Sequence, residues 1–139
     1  MTKKIKWLER SLFYGPYLVL VTSQKEFDAV LRHLKITDKD EWLAKNCQAC
    51  VHTFQKEGNL TCVVALSPTA FTADPLMAIG TLIHEATHVW QRTEDLHSLG
   101  DPVGRFGTES EAYAVENIAM QLIIEFKRRW EAGDVQPQD

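Results

Sequence analysis

Residues 74–93 read DPLMAIGTLIHEATHVWQRT, and this stretch constrains the chain more than any other. Asp74 offers a capping side chain and Pro75 fits the first helical position. A helix is therefore expected from Pro75 to about Gln91 or Thr93. On it, His84 and His88 project from one face, about one turn apart. Two neutral imidazoles so placed can hold one zinc ion at ~2.0–2.1 Å from each nitrogen. Glu85 stands beside the first of them. It can reach a metal-bound water without being a ligand, which is the position of a general base. Thr81, Leu82, Ala86, Thr87, Val89 and Trp90 around the trio are uncharged. The plainer alternative is a core helix whose histidines are only hydrogen-bonded. Such a helix has no need of two histidines and a glutamate in an apolar run, since each costs free energy when left unpaired.

The remainder of the chain sets the frame for that helix. With 139 residues, one domain is expected over residues 1–132, followed by a tail from Gly133 to Asp139. Lys and Arg number 15 against 19 Asp and Glu, a formal charge of −4. A net acidic surface draws neither nucleic acid nor an anionic membrane. Three cysteines make no disulfide framework, and the chain reads as cytoplasmic and reduced. The start, MTKKIKWLERSLFYGPYLVLV, is basic like a signal peptide, but Glu9 and Arg10 interrupt its apolar stretch. No segment reaches the roughly 18–20 apolar residues of a spanning helix.

A short helix is expected over residues 3–13, then a buried strand from Tyr17 to Thr22. Ser23 and Glu26 form a capping box for a helix that buries Phe27, Val30, Leu31 and Leu34. Asp38 to Lys45 is expected to be a second short helix. Cys50–Phe54 and Leu60–Leu66 flank QKEGN, a hairpin signal with Gly58 available for positive φ. Asp95 to Gly107 reads as a long loop and a candidate lid. Thr108 opens a last helix to about Trp130, with Lys127, Arg128 and Arg129 where the helix dipole favours cations. The expected fold is α+β, a short three-stranded sheet packed on the histidine helix and the C-terminal helix.

TLIHEATHVW resembles the active-site helix of the zincin metallopeptidases. That resemblance implies a zinc-dependent peptidase acting on a peptide or protein substrate, with His84 and His88 as ligands and Glu85 as base. It also implies a third protein ligand farther along the chain. In the metzincin branch a glycine and a further ligand follow; here those positions hold Gln91 and Glu94. In the gluzincin-like branch the ligand is a glutamate near the start of the next helix. TESEAYAVE offers Glu109, Glu111 and Glu116, and the small residues Ala112 and Ala114 beside Glu111 favour it. The closest likeness is to small gluzincin-like peptidases of bacteriophages and mobile elements. Thr108 and Glu111 also form a capping box, the structural alternative for Glu111. An oxyanion needs a second donor, for which Tyr113, Arg105 and His97 are candidates. In this family an extended peptide lies on the sheet-edge strand before the active-site helix, which would be Cys62–Leu66. A catalytically weak zinc-containing module that binds peptide or protein is the other reading.

Cys47, Cys50, His52 and Cys62 can be drawn as a second metal site if Phe54 pairs with Leu60, which sets His52 opposite Cys62. Reduced cysteines in strands are otherwise small core residues. Peptide deformylase also combines this histidine motif with an upstream cysteine, but Cys62 sits in NLTCVVAL without the preceding Glu-Gly of that family.

Overall fold

Tyr17–Val21 (β1) is β-branched and aliphatic, and four of its five residues are buried. It lies parallel to Asn59–Leu66 (β3), with Leu20 beside Val64. Ala49–Lys56 (β2) completes the sheet antiparallel to β3, giving the order β1-β3-β2. The computed structural model describes residues 4–8, 16–38, 40–98 and 108–133. The fold is α+β, with a mixed three-stranded sheet between helices.

One sheet face, Val19, Val21, Val63 and Ala65, packs on Phe27, Val30 and Leu31 of α1 (Gln24–His33). The other, Leu18, Leu20, Cys62, Val64 and Leu66, packs on the long helices α3 (Pro75–Ser98) and α4 (Thr108–Ala132). Both faces of β3 are thus covered, which explains why NLTCVVAL shows no alternation. A short helix not expected from the sequence, α2 (Pro68–Ala73), precedes α3. Its signal was nonetheless present: Ser67 Oγ accepts from Thr69 N at 3.2 Å, and Pro68 opens the helix.

Local signals locate α1 and α3. Ser23 Oγ accepts from Glu26 N at 3.2 Å, while the Glu26 carboxylate turns back to Thr22 N and Oγ1. Asp74 Oδ1 accepts from Leu76 N at 3.0 Å. Glu57 and Gly58 both have positive φ, 54° and 81°, the two-residue turn whose twist matches a hairpin.

Several expectations are corrected. Residues 4–8 run extended rather than helical: Trp7 bridges to Val19, and Leu8 N donates to Leu18 O at 2.9 Å. The edge strand β1 offers unpaired backbone groups there, and those outweigh helix propensity. Residues 9–13 of that expected helix lie outside the described residues. Residues 40–45 form bends and a turn rather than a helix. Trp42 N donates to the Gln24 side chain at 3.1 Å, which takes it out of any helical ladder. α3 continues to Ser98, so the expected loop from Asp95 begins later; residues 99–107 lie outside the described residues. The strand Cys62–Leu66 is central, not an edge, and has no free side for a peptide. The edge beside α3 is β2. Among the described residues no helix is long and apolar enough to cross a membrane.

The end of α4 is held by a buried charge network that the helix-dipole reading of Lys127, Arg128 and Arg129 missed. Arg129 donates to Glu125 Oε2 at 2.9 Å, Glu26 Oε1 and Thr22 Oγ1 at 3.1 Å, and Leu20 O at 3.0 Å. Arg128 adds two bonds to Glu125, at 3.0 and 2.8 Å. One guanidinium thereby ties α4 to β1 and the start of α1. Burial opposes ionisation of Glu125, but the hydrogen bonds and charges of both arginines outweigh it and hold its carboxyl below the usual range.

Candidate functional site

α3 divides its residues between core and solvent by helical spacing. Ala78, Leu82, Ala86 and Val89 are buried against the sheet, while His84 and His88 lie on the exposed side. Glu85 falls between these faces and is only 6% exposed. His84 Nε2 and His88 Nε2 stand 3.1 Å apart, with ring planes at 82°. His88 Nδ1 donates to Gln91 Oε1 at 2.9 Å, which leaves its Nε2 as the nitrogen with the lone pair.

This pair meets the geometric requirement for a shared ion. Two nitrogens each ~2.0–2.1 Å from one zinc can stand no more than about 4.2 Å apart, and the observed separation is well inside that. Without an ion, the same contact is an imidazole–imidazole hydrogen bond. Gln91 was not singled out in the sequence as a partner, although its three-residue spacing from His88 is the signal that finds it.

Burial pushes the Glu85 carboxyl above its ordinary range, and His84 and His88 oppose that rise. The Cys50 thiol on β2 is pushed up to about 11, by burial first and then by the charges of Glu85 and Cys47. Two turns beyond Glu85 on the same flank, Arg92 joins Thr53, Gln55, Leu60, Asp95 and Leu96 around a groove of about 440 Å³. A larger cavity, about 700 Å³ between Trp7, Tyr17, His33 and Phe54, contains none of the expected site residues.

The expected third ligand is engaged elsewhere. Glu111 Oε1 accepts from Trp90 Nε1 at 3.0 Å. Trp90 is two residues past His88, about 200° around the helix, on the flank where α3 meets α4. Among the described residues no three His, Cys, Asp or Glu side chains converge as a metal-holding group. The structure thus brings His84 and His88 together and leaves Glu111 on the indole. Tyr113 is 56% exposed on α4, and Glu116 is exposed as well. Arg105 and the side chains of His97 and Glu109 lie outside the described residues.

A second metal site on the cysteines is ruled out in the drawn form by strand register. His52 pairs with Val63, and Thr53 with Cys62, one residue from the expected alignment. A one-residue shift reverses the face. Cys62 is buried on the α3–α4 side, while Cys50 and His52 lie on the α1 side, where His52 stacks on Phe27 at 4.5 Å. All three cysteines are unpaired. The Cys62 thiol is pushed up to about 12 by burial, against a lowering by Arg92.

Compared with protein-family models, with curated proteins and with solved structures, the chain finds no match.

Proposed function

We propose that the protein is a zinc-dependent peptidase in which His84 and His88 hold the metal and Glu85 is the general base. The observation that carries this reading is the 3.1 Å approach of the two Nε2 atoms, next to the buried carboxylate of Glu85. A zinc ion held there would supply Lewis acidity and lower the pKa of a bound water toward about 7. Glu85, next to His84, would take up a proton from a water at that position and return it to the leaving amine. Gln91 orients His88 by accepting from Nδ1. The third ligand we assign to Glu111, or to Glu109 two residues earlier. The β2 edge offers main-chain groups to an extended peptide, and Arg92 offers a cation in the adjoining groove. We further infer a cytoplasmic location, from the three unpaired cysteines.

Glu85→Gln is the test, because it keeps size and removes the basic oxygen. Zinc content and stability should change little, while peptide hydrolysis should fall by about 10² or more. Equal cleavage by both proteins overturns the base assignment. A second reading, a zinc-holding module that binds peptide without turnover, draws on the exposure of both histidines, which leaves a substrate few walls. Peptide binding by wild type without cleavage would select it.

A further inference from the structure

The sheet is longer than the helix that covers its α1 face. α1 has 10 residues, about 15 Å of helix, while β2 and β3 have 8 residues each, about 26 Å of strand. α1 runs back from Ser23 and stops at His33, and the hairpin end of that face lies beyond it. The cavity of about 700 Å³ is found there. Tyr17 and Phe54 both pair with Thr61, so the three share one face, the face of Val19, Val63 and Ala65. α3 and its histidines are on the opposite face. Trp7, Leu34, Ile36 and Phe54 line the cavity and pack on the α1-side core, yet each is only half-buried.

We propose that this cavity binds a neutral aromatic molecule of two or three rings, seated over Thr61 between Tyr17 and Phe54. The strand order sets the slot. Tyr17 and Phe54 stand on the two outer strands with Thr61 between them, about 10 Å apart at the usual strand spacing of ~4.7–4.9 Å. A ring midway is then about 5 Å from each, inside the roughly 4.5–7 Å range of aromatic pairs. Trp7 closes one side, its ring 6.1 Å from Tyr17 at 69° and 5.5 Å from His33. The volume falls within the roughly 300–1,000 Å³ of small-molecule sites and is more than a single ring fills. Charge decides the rest. The lining holds one ammonium, Lys56, and one carboxylate, Glu57. Lys56 Nζ donates to Leu34 O at 2.8 Å, where the ammonium offsets the negative end of the α1 dipole. Neither sign is in excess, so an uncharged ligand is selected. The site depends on neither the histidine pair nor Glu85, which lie beyond the sheet.

N-phenylnaphthylamine is a neutral three-ring dye whose emission rises in apolar surroundings. Titrated into the full chain, it should bind saturably at one dye per chain. Tyr17→Ala removes one wall of the slot and should weaken binding at least about tenfold. Tyr17 is 38% exposed, so far-ultraviolet circular dichroism should not change. Phe54→Ala should weaken binding likewise; if that variant fails to fold, Tyr17→Ala decides alone. Anilinonaphthalene sulfonate has the same rings plus a negative charge and should bind no more tightly than the neutral dye. Absence of saturable binding to wild type, or binding unchanged in Tyr17→Ala, overturns the site. A sulfonate that binds at least about tenfold tighter, and loses that advantage in Lys56→Gln, overturns the neutral ligand in favour of an aromatic anion.

Discussion

The indole of Trp90 donates to the carboxylate of Glu111 across 3.0 Å, joining α3 to the first turns of α4. The bond holds the carboxylate on the side of α3 away from His88. The candidate ligand and the histidine pair therefore sit on two packed helices, and this hydrogen bond turns Glu111 toward Trp90. A charged acceptor makes that bond worth about 1.5–3 kcal/mol, so a metal that recruits Glu111 must outweigh it.

Trp90→Phe removes the donor together with part of the buried indole. Chemical denaturation of the metal-free protein should show a loss of at least about 1.5–3 kcal/mol. Zinc affinity should rise, since Glu111 no longer has a competing partner, and Glu111→Gln should lower it. If both variants bind zinc as wild type does, Glu111 is a structural partner of Trp90, and Glu109 becomes the residue to change next.

Protein purified without chelator should contain close to one zinc per chain. His84→Ala and His88→Ala should each abolish it, because the ligands that remain hold the ion weakly. Gln91→Leu should weaken binding by about 10–100-fold through loss of the bond that orients His88. Competition against a coloured chelator measures all three. Full zinc in His84→Ala would move the metal away from this helix.

What the sequence made legible was local. The Asp74-Pro75 start, the Ser23 cap and the four-residue spacing of the histidines depend on neighbours along the chain, and each appears where expected. The register of the hairpin was not legible. QKEGN accommodates more than one loop, and the choice of Glu57–Gly58 as a two-residue turn moved every cross-strand pair by one, which dissolved the cysteine site. Nor was the central place of β3, because a strand covered on both faces and one covered by a ligand have the same apolar composition. Glu111 illustrates the limit for the candidate site. Its carboxylate serves zinc or an indole equally well, and only the packing of α3 on α4 distinguishes them. Arg129 is the same lesson from the other side: its partners Leu20, Thr22 and Glu26 lie at the far end of the chain.

Arg129→Met should be among the most damaging single changes outside the core. It leaves Glu125 buried with Arg128 still bound to it, and takes the Arg129 guanidinium away from Glu26. Breaking a buried pair in this way costs about 3–5 kcal/mol. The urea midpoint should fall accordingly, and Glu125→Leu added to Arg129→Met should recover part of the loss, because the buried carboxylate goes with it. A loss below about 1 kcal/mol would mean that water reaches the network and screens it.

The same network sets an acid limit on stability. The folded state holds the Glu125 carboxyl below its unfolded value of about 4.3, because Arg128 and Arg129 favour the anion more than burial disfavours it. For a group shifted in this direction the unfolded chain binds the proton more readily. Its contribution is therefore complete above the unfolded pKa and is lost as pH falls through the lowered folded value. Wild type should lose stability steeply below about pH 4. Glu125→Gln should be less stable than wild type at neutral pH, because the amide pairs poorly with two arginines. Its own curve should be flatter in acid, so the two should converge as pH falls. Stability measured by urea unfolding at several pH values tests this, and two parallel curves would show that Glu125 is not a source of the acid sensitivity.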